Sequence, residues 1–341
     1  MLRLPRFEYA APHSVKQAVA YLRDGAGEAV LVAGGTDLYP NMKRGLVEPR
    51  LLIGLSAIPE LKGLTQGASG ELVIGACATL SEVARDARVR AGYRALALAA
   101  HSVSTPTLRN MGTLGGNLCL DTRCNYFNQS YQWRQSIGFC MKKDGDICLV
   151  APSSPRCWAI SSCDTAPALI ALGASARLAG PRGERVIPVE SLYRDDGIDY
   201  LTKQADEILV QIVVPPRPDW CSTYWKLRRR GSFDFPILGV AAALQSDSNG
   251  FVREARIVLG AVAAHPLTLP DAAELLVGKV LSEEAIAGAA ELAYRVAKPA
   301  DNSDLTLGYR KRMVRVYLER ALRELAALDW DSALRGETGA V

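Results

Sequence analysis

Apolar and polar positions along this chain fall into short blocks that switch repeatedly between helical spacing and strand-like runs. Ser14-Val15-Lys16-Gln17 has the pattern of a capping box, and Val15, Ala18, Val19 and Leu22 follow at helical spacing, which predicts a helix. The apolar run 29–33 predicts a buried strand leading directly into Gly34-Gly35-Thr36-Asp37. Residues 51–55 and 71–76 predict two further strands. Thr79-Leu80-Ser81-Glu82 is a second capping box and predicts one alanine-rich helix reaching towards His101. Residues 165–172 predict a short helix with Pro167 in its first turn, and strands are predicted at 175–178, 185–187 and 208–214.

The stretch 215–220 holds three prolines and then a new pattern begins, which places a domain boundary there and divides the chain into 1–216 and 217–330. Beyond it, 223–229, 237–245 and 252–259 predict three strands, the last two joined antiparallel by Asp247-Ser248-Asn249-Gly250. Helices are predicted at 269–277 and 282–297, followed by a long terminal one. In that helix Val314, Tyr317, Leu318, Ala321, Leu325 and Leu328 form one apolar stripe. Arg310, Lys311, Arg312, Arg315, Arg320 and Arg323 decorate the remainder as a solvated face.

Composition changes this picture little. A chain of 341 residues suits two or three domains, and a net charge of +4 gives no footprint for nucleic acid as a partner. The opening Met1-Leu2-Arg3-Leu4-Pro5-Arg6 lacks the apolar core of a signal peptide, and no apolar run is long enough to span a membrane. The expectation is a cytoplasmic protein without membrane contact. In a reducing compartment, clustered cysteines are metal ligands or redox groups before they are disulfides.

Candidate chemistry gathers in three places. The turns Gly34-Gly35-Thr36-Asp37 and Thr113-Leu114-Gly115-Gly116-Asn117 share one design: paired glycines, a hydroxyl and a polar side chain. Each is either a structural turn or an anion-binding concavity of backbone amides. Neither has the Walker or Rossmann spacing. After the second turn, six of the eight cysteines (Cys119, Cys124, Cys140, Cys148, Cys157 and Cys163) fall within 45 residues. Cys124, Cys140, Cys148 and Cys157 are 16, 8 and 9 residues apart, with no C-x-x-C pair. From the residues alone, an iron–sulfur cluster, structural zinc and free thiols all stand open. Tyr126, Phe127, Tyr131, Trp133 and Phe139 in the same window either shield such a site or form a small core of their own. Cys77 and Cys221 read as small buried hydrophobes, and His13, His101 and His265 as structural. No nucleophile–base pair or H-E-x-x-H is present, so the chain shows no substrate-converting constellation.

The segments 31–38 and 109–118, with Cys163-Asp164-Thr165-Ala166-Pro167-Ala168-Leu169 and Lys226-Leu227-Arg228-Arg229 followed by Phe233-Asp234, are similar to the FAD-binding medium subunits of the xanthine oxidase (molybdenum hydroxylase) family. The resemblance runs from about Phe7 to Leu325. It implies an α+β fold: a two-lobed FAD-binding region of the vanillyl-alcohol-oxidase (PCMH) type, then a C-terminal α/β domain with a three-stranded antiparallel sheet and helices, of the CO dehydrogenase flavoprotein type. It also implies that Leu31, Val32, Ala33, Gly34, Gly35, Thr36, Asp37, Thr113, Gly115, Gly116 and Asn117 hold FAD. Asp164 would accept hydrogen bonds from the cofactor, and Lys226 would sit at the isoalloxazine edge, where a cation stabilises the reduced flavin.

Between Asn117 and Asp164 lie 46 residues where most of the family has a much shorter link. This insertion, about 119–160, resembles the 4-hydroxybenzoyl-CoA reductase branch, in which it binds a 4Fe-4S cluster. Carried over by position, the ligands are Cys124, Cys140, Cys148 and Cys157, with Cys119 and Cys163 as flanking non-ligands. The resemblance implies an electron-transfer subunit in a dimer of heterotrimers. The partners are a large subunit with molybdopterin, a small subunit with 2Fe-2S clusters, and ferredoxin as electron donor, in anaerobic aromatic degradation. The alternatives are the FAD subunit of another molybdenum hydroxylase and a stand-alone flavin- or metal-binding module.

Overall fold

The computed structural model describes residues 3–25 and 27–327, and its first apolar runs form a three-stranded parallel sheet. Leu51–Gly54 lies at its centre, flanked by Ala29–Val32 and by Glu8–Ala10, a strand absent from the sequence expectation. Parallel strands of one sheet need a crossover, and the helix Val15–Asp24 carries the chain between the two outer strands, burying Ala18 and Leu22. Only half of its expected capping box forms. Ser14 accepts from the Gln17 amide at 3.2 Å, while the Gln17 carboxamide accepts from the His13 amide instead.

The Thr79–Glu82 box forms completely. The single helix expected after it is divided into Leu80–Arg85, Ala87–Gly92 and Arg94–Ser102. Asp86 breaks the first by adopting extended backbone and turning its carboxylate onto the amides of Arg88 and Val89, which caps the second. The FAD-type region closes on a five-stranded antiparallel sheet, ordered Leu64–Gln66, Leu72–Gly75, Ile208–Val214, Ser175–Gly180, Gly183–Pro188. Ile208–Val214 is inserted between strands much earlier in the chain. The wholly buried helix Thr165–Ala171 packs beneath, in one core with Leu72, Ile74, Leu96, Leu114 and Ile212.

After Val214 the chain leaves this sheet, and Trp220–Leu227, Leu238–Ser246 and Val252–Gly260 form the expected antiparallel set, extended by a two-residue fourth strand, Leu267–Thr268. Glu283–Val296 and Leu307–Ala327 cover one face, with Val314, Leu318, Ala321 and Leu325 buried against Leu238, Val240 and Ile257. Leu328 of the expected stripe and the last residues of the second domain lie outside the described residues. Arg310 departs from the expected solvated face. It is 1% exposed and donates to the carbonyls of Ala300 and Ala261. Among the described residues no helix is long and apolar enough to cross a membrane.

Candidate cofactor site and cysteine cavity

The two glycine turns meet. A Cβ on Gly34 would fall 1.8 Å from the carbonyl oxygen of Met111, so glycine is required there for the first turn to lie against the second. Gly35 has φ +68°, in the left-handed region. The amides of Gly34, Gly35, Thr36 and Asp37 donate to no acceptor among the described residues, and the loop 33–37 is half-exposed. A run of unspent N–H groups at the start of the helix Leu38–Lys43 is chemistry suited to an anion.

The second turn is spent differently. The amides of Leu114, Gly115 and Gly116 donate to Ala78 O, Ala76 O and Thr113 Oγ1, and a Cβ on Gly115 would strike Ala76 at 2.7 Å. Its glycines serve close packing, and the turn contributes side chains. Asn117 Oδ1 accepts from Thr165 Oγ1 at 2.7 Å and from Cys163 Sγ at 3.1 Å, fastening the turn to the segment that carries Asp164. Asp37 is ion-paired with Arg123, whose guanidinium lies 4.6 Å from the Phe235 ring centroid.

Asp164 opens the helix Thr165–Ala171 without capping it. Its carboxylate turns instead to the second domain. It accepts from Lys226 Nζ at 2.9 Å and from the Tyr224 hydroxyl at 2.8 Å, with the Lys226 and Asp164 side chains only 4% and 3% exposed. Lys226 is therefore not a solvated strand lysine. Tyr224 and Lys226 share one strand face, Arg228 follows just past the strand's end, and Lys226 and Arg228 both donate to Ser102 O. Burial works against both charges. It pushes Asp164 above the usual carboxylate range and Lys226 below the usual amine range, while each opposes the other's shift. Burial raises the Tyr224 phenol further, so it remains a donor. Tyr224 was legible as the neighbour of Lys226 at strand spacing; the Ser102 carbonyl carries no signal in a sequence.

The insertion holds one short helix, Tyr131–Ser136. Cys124, Cys140, Cys148 and Cys157, separate in sequence, line one small cavity, and each is at least nine-tenths buried. Tyr126, Phe127, Met141 and Lys142 share the wall, with no histidine or carboxylate among the lining residues. Burial pushes the Cys124 thiol up to about 12, with Cys157 and Cys140 contributing in the same direction. Among the described residues no group of three or more His, Cys, Asp or Glu side chains is set to hold a metal ion as it stands. Tyr131 and Trp133 are exposed, and Tyr131 and Phe139 flank the buried Arg134 rather than the cavity. Cys119 lies outside the lining, and Cys163 bonds Asn117. Cys77 and Cys221 are half-buried.

Three residues outside the sequence expectation complete the cavity's surroundings. A Cβ on Gly197 would lie 2.7 Å from Cys157 Sγ, so glycine permits that approach. Asn302, from the second domain, bonds the neighbours of two cysteines: its carbonyl accepts from the Asn125 amide and its carboxamide donates to Trp158 O. Lys142 Nζ donates to Asp121, Thr122 and Gly197.

Two family models match this chain. The FAD binding domain in molybdopterin dehydrogenase matches residues 5–217, and the CO dehydrogenase flavoprotein C-terminal domain matches residues 222–325. The carbon monoxide dehydrogenase medium chain of Hydrogenophaga pseudoflava is 30% identical over 319 residues, covering 93% of this chain and 96% of that one. The aldehyde oxidoreductase FAD-binding subunit PaoB of Escherichia coli (strain K12) is 32% identical over 247 residues, covering 70% and 76%. Among solved structures, the Cu,Mo-CO dehydrogenase in its cyanide-inactivated form superposes with a TM-score of 0.79 at 27% identity, covering 96% of this chain and 100% of that chain. Quinoline 2-oxidoreductase from Pseudomonas putida 86 gives 0.74 at 26% identity, covering 95% and 98%.

Proposed function

Because this chain belongs to the FAD-binding medium subunits of the molybdenum hydroxylase family, we propose that it is the FAD- and 4Fe-4S-carrying electron-transfer subunit of a 4-hydroxybenzoyl-CoA reductase. The whole enzyme would remove the phenolic hydroxyl of 4-hydroxybenzoyl-CoA to give benzoyl-CoA. The substrate site would lie on a molybdopterin subunit, with a 2Fe-2S subunit between and ferredoxin as donor, the whole a cytoplasmic dimer of heterotrimers. The observation that carries this reading is the convergence of Cys124, Cys140, Cys148 and Cys157 on one buried cavity.

The donor set fits the group. Four cysteines without histidine or carboxylate are the ligands of a 4Fe-4S cluster. Burial raises the Cys124 and Cys157 thiols, and a cationic core would favour their thiolate forms there. The residues also fit FAD. The free amides of 34–37 would take its pyrophosphate, and the Asp164–Lys226 pair would meet the polar edge of its ring. Bound together, the two groups supply one-electron and two-electron exchange. The chain's own part is to hold them and keep water out. Tyr224 holds Asp164 and Asp164 orients Lys226, which would offer positive charge to a bound flavin ring.

A second reading, an FAD subunit of a hydroxylase acting on another substrate, draws on the 30% identity to a carbon monoxide dehydrogenase medium chain. Iron, zinc, acid-labile sulfide and FAD content of the anaerobically purified complex separates the two, alongside low-temperature EPR of the dithionite-reduced chain. About four irons and four sulfides per FAD on this chain are expected. FAD with zinc, or with no metal, would leave the second reading in place.

A further inference from the structure

Among the described residues, Lys142 is the one charged residue lining the cavity that four cysteines share. Its side chain is 6% exposed, and its three bonds run to Asp121 Oδ1 at 2.8 Å, Thr122 Oγ1 at 2.7 Å and Gly197 O at 2.5 Å. All three partners accept, since Thr122 spends its own hydroxyl proton on Gly197 O. Three N–H donors are thus in use, which only an ammonium provides. The ammonium also lies 4.8 Å from the centroid of Phe127, another wall residue, and 5.6 Å from that of Tyr200. Asp121, its counter-ion, is not among the residues that line the cavity.

Such fixing is unusual for lysine, whose flexible stem ordinarily keeps the charge in water. Here the charge is fixed on three acceptors, and the residue that carries it lines the cysteine cavity. Gly197 couples the two groups, because the glycine that bonds the ammonium also packs on Cys157 Sγ.

We propose that Lys142 is a tuning residue: its fixed ammonium stabilises the electron taken up by the group the four cysteines hold, and so sets that group's reduction potential. The inference rests on the cluster reading above. The step is the gain of one electron from a one-electron donor of the ferredoxin class, with no bond made or broken and no proton moved. Removing the cation disfavours the reduced form. Removing the counter-ion Asp121, which opposes the cation, favours it.

The test is an equilibrium redox titration of the whole anaerobic complex at one pH, with dithionite as reductant and the EPR signal of the reduced chain as readout. Lys142→Met is expected to lower the midpoint by at least a tenfold change in the equilibrium constant, about 59 mV for one electron. Lys142→Arg is expected to stay near wild type, and Asp121→Asn to move the other way. Opposite signs for the two neutralised partners are what a merely structural role would not give. If Lys142→Met loses its iron, the sign for Asp121→Asn decides. An unchanged midpoint in Lys142→Met with iron and sulfide intact, or a downward shift in Asp121→Asn, would overturn the proposal alone. Wild-type complex without iron and sulfide would overturn the cluster reading and the proposal with it.

Discussion

A lysine and an aspartate, 62 positions apart and both more than nine-tenths buried, form the tie between the two domains at the candidate flavin site. Taking two charges out of water is costly, and their attraction offsets that cost only with good geometry and further hydrogen bonds. Here Tyr224 and Ser102 O supply those bonds. Truncating one partner strands the other. Lys226→Met is expected to cost about 3–5 kcal/mol by leaving Asp164 buried and unpaired. The double variant with Asp164→Asn should be more stable than Lys226→Met alone, because no buried charge remains. Urea unfolding of the three proteins measures both, and a Lys226→Met chain as stable as wild type would refute the account. At this scale the sequence carried the residue types but not their pairing. Gly34 was legible as permissive backbone; its contact with Met111 was not, since it depends on two loops meeting. Arg123, Lys142 and Gly197 carry no motif, and only the fold brings them to Asp37, Asp121 and Cys157.

Local signals set most elements, and competition between local signals accounts for where the expectation failed. Thr79 and Glu82 announce a helix correctly, yet seven residues later Asp86 is itself a strong N-cap, and the chain restarts instead of continuing. Asp86 accepts from the Arg88 amide at 2.9 Å and pairs with the Arg88 guanidinium at 2.6 Å. The Arg88 side-chain bond holds its carboxyl below the ordinary range. A folded-state pKa lower than the unfolded one contributes stability that is present above the unfolded value, near 3.9, and is lost as pH falls through the folded value. Asp86→Ala should therefore be about 1 kcal/mol less stable than wild type at pH 7. That gap should close as both proteins are unfolded at progressively lower pH below about 4. A gap independent of pH would mean that the cap acts through packing alone. Strand order is the counter-example. A nearly continuous apolar run marks 208–214 as a strand but says nothing of its insertion between 72–75 and 175–180, which is fixed by long-range packing.

Across the whole molecule, the 119–163 segment is held from both sides rather than hung from one. Arg123 and Ile160 exchange backbone hydrogen bonds at its neck, and Arg123 pairs with Asp37 of the first glycine turn. From the second domain, Asn302 bonds the residues that follow Cys124 and Cys157, while the buried Arg310 bonds the Ala300 carbonyl and approaches the Asn302 carboxamide. The first and last cysteines of the cavity thus take their spacing from a residue far along the chain, which explains why the loop's own spacing left its chemistry open. Asn302→Ala removes the bond to Trp158 O and leaves that half-buried carbonyl without its partner, a loss of about 1 kcal/mol. It is expected to speed hydrogen exchange at Ile160 and, less, at Asn125, whose acceptor is the retained backbone carbonyl, and to lower iron and sulfide content, with FAD retained. Cys140→Ser, by contrast, should lose the iron while exchange at those two amides stays near that of the iron-free wild type. If exchange in Asn302→Ala matches wild type, the insertion sets its own cysteine geometry, and the second domain is a neighbour of the cavity rather than one of its supports.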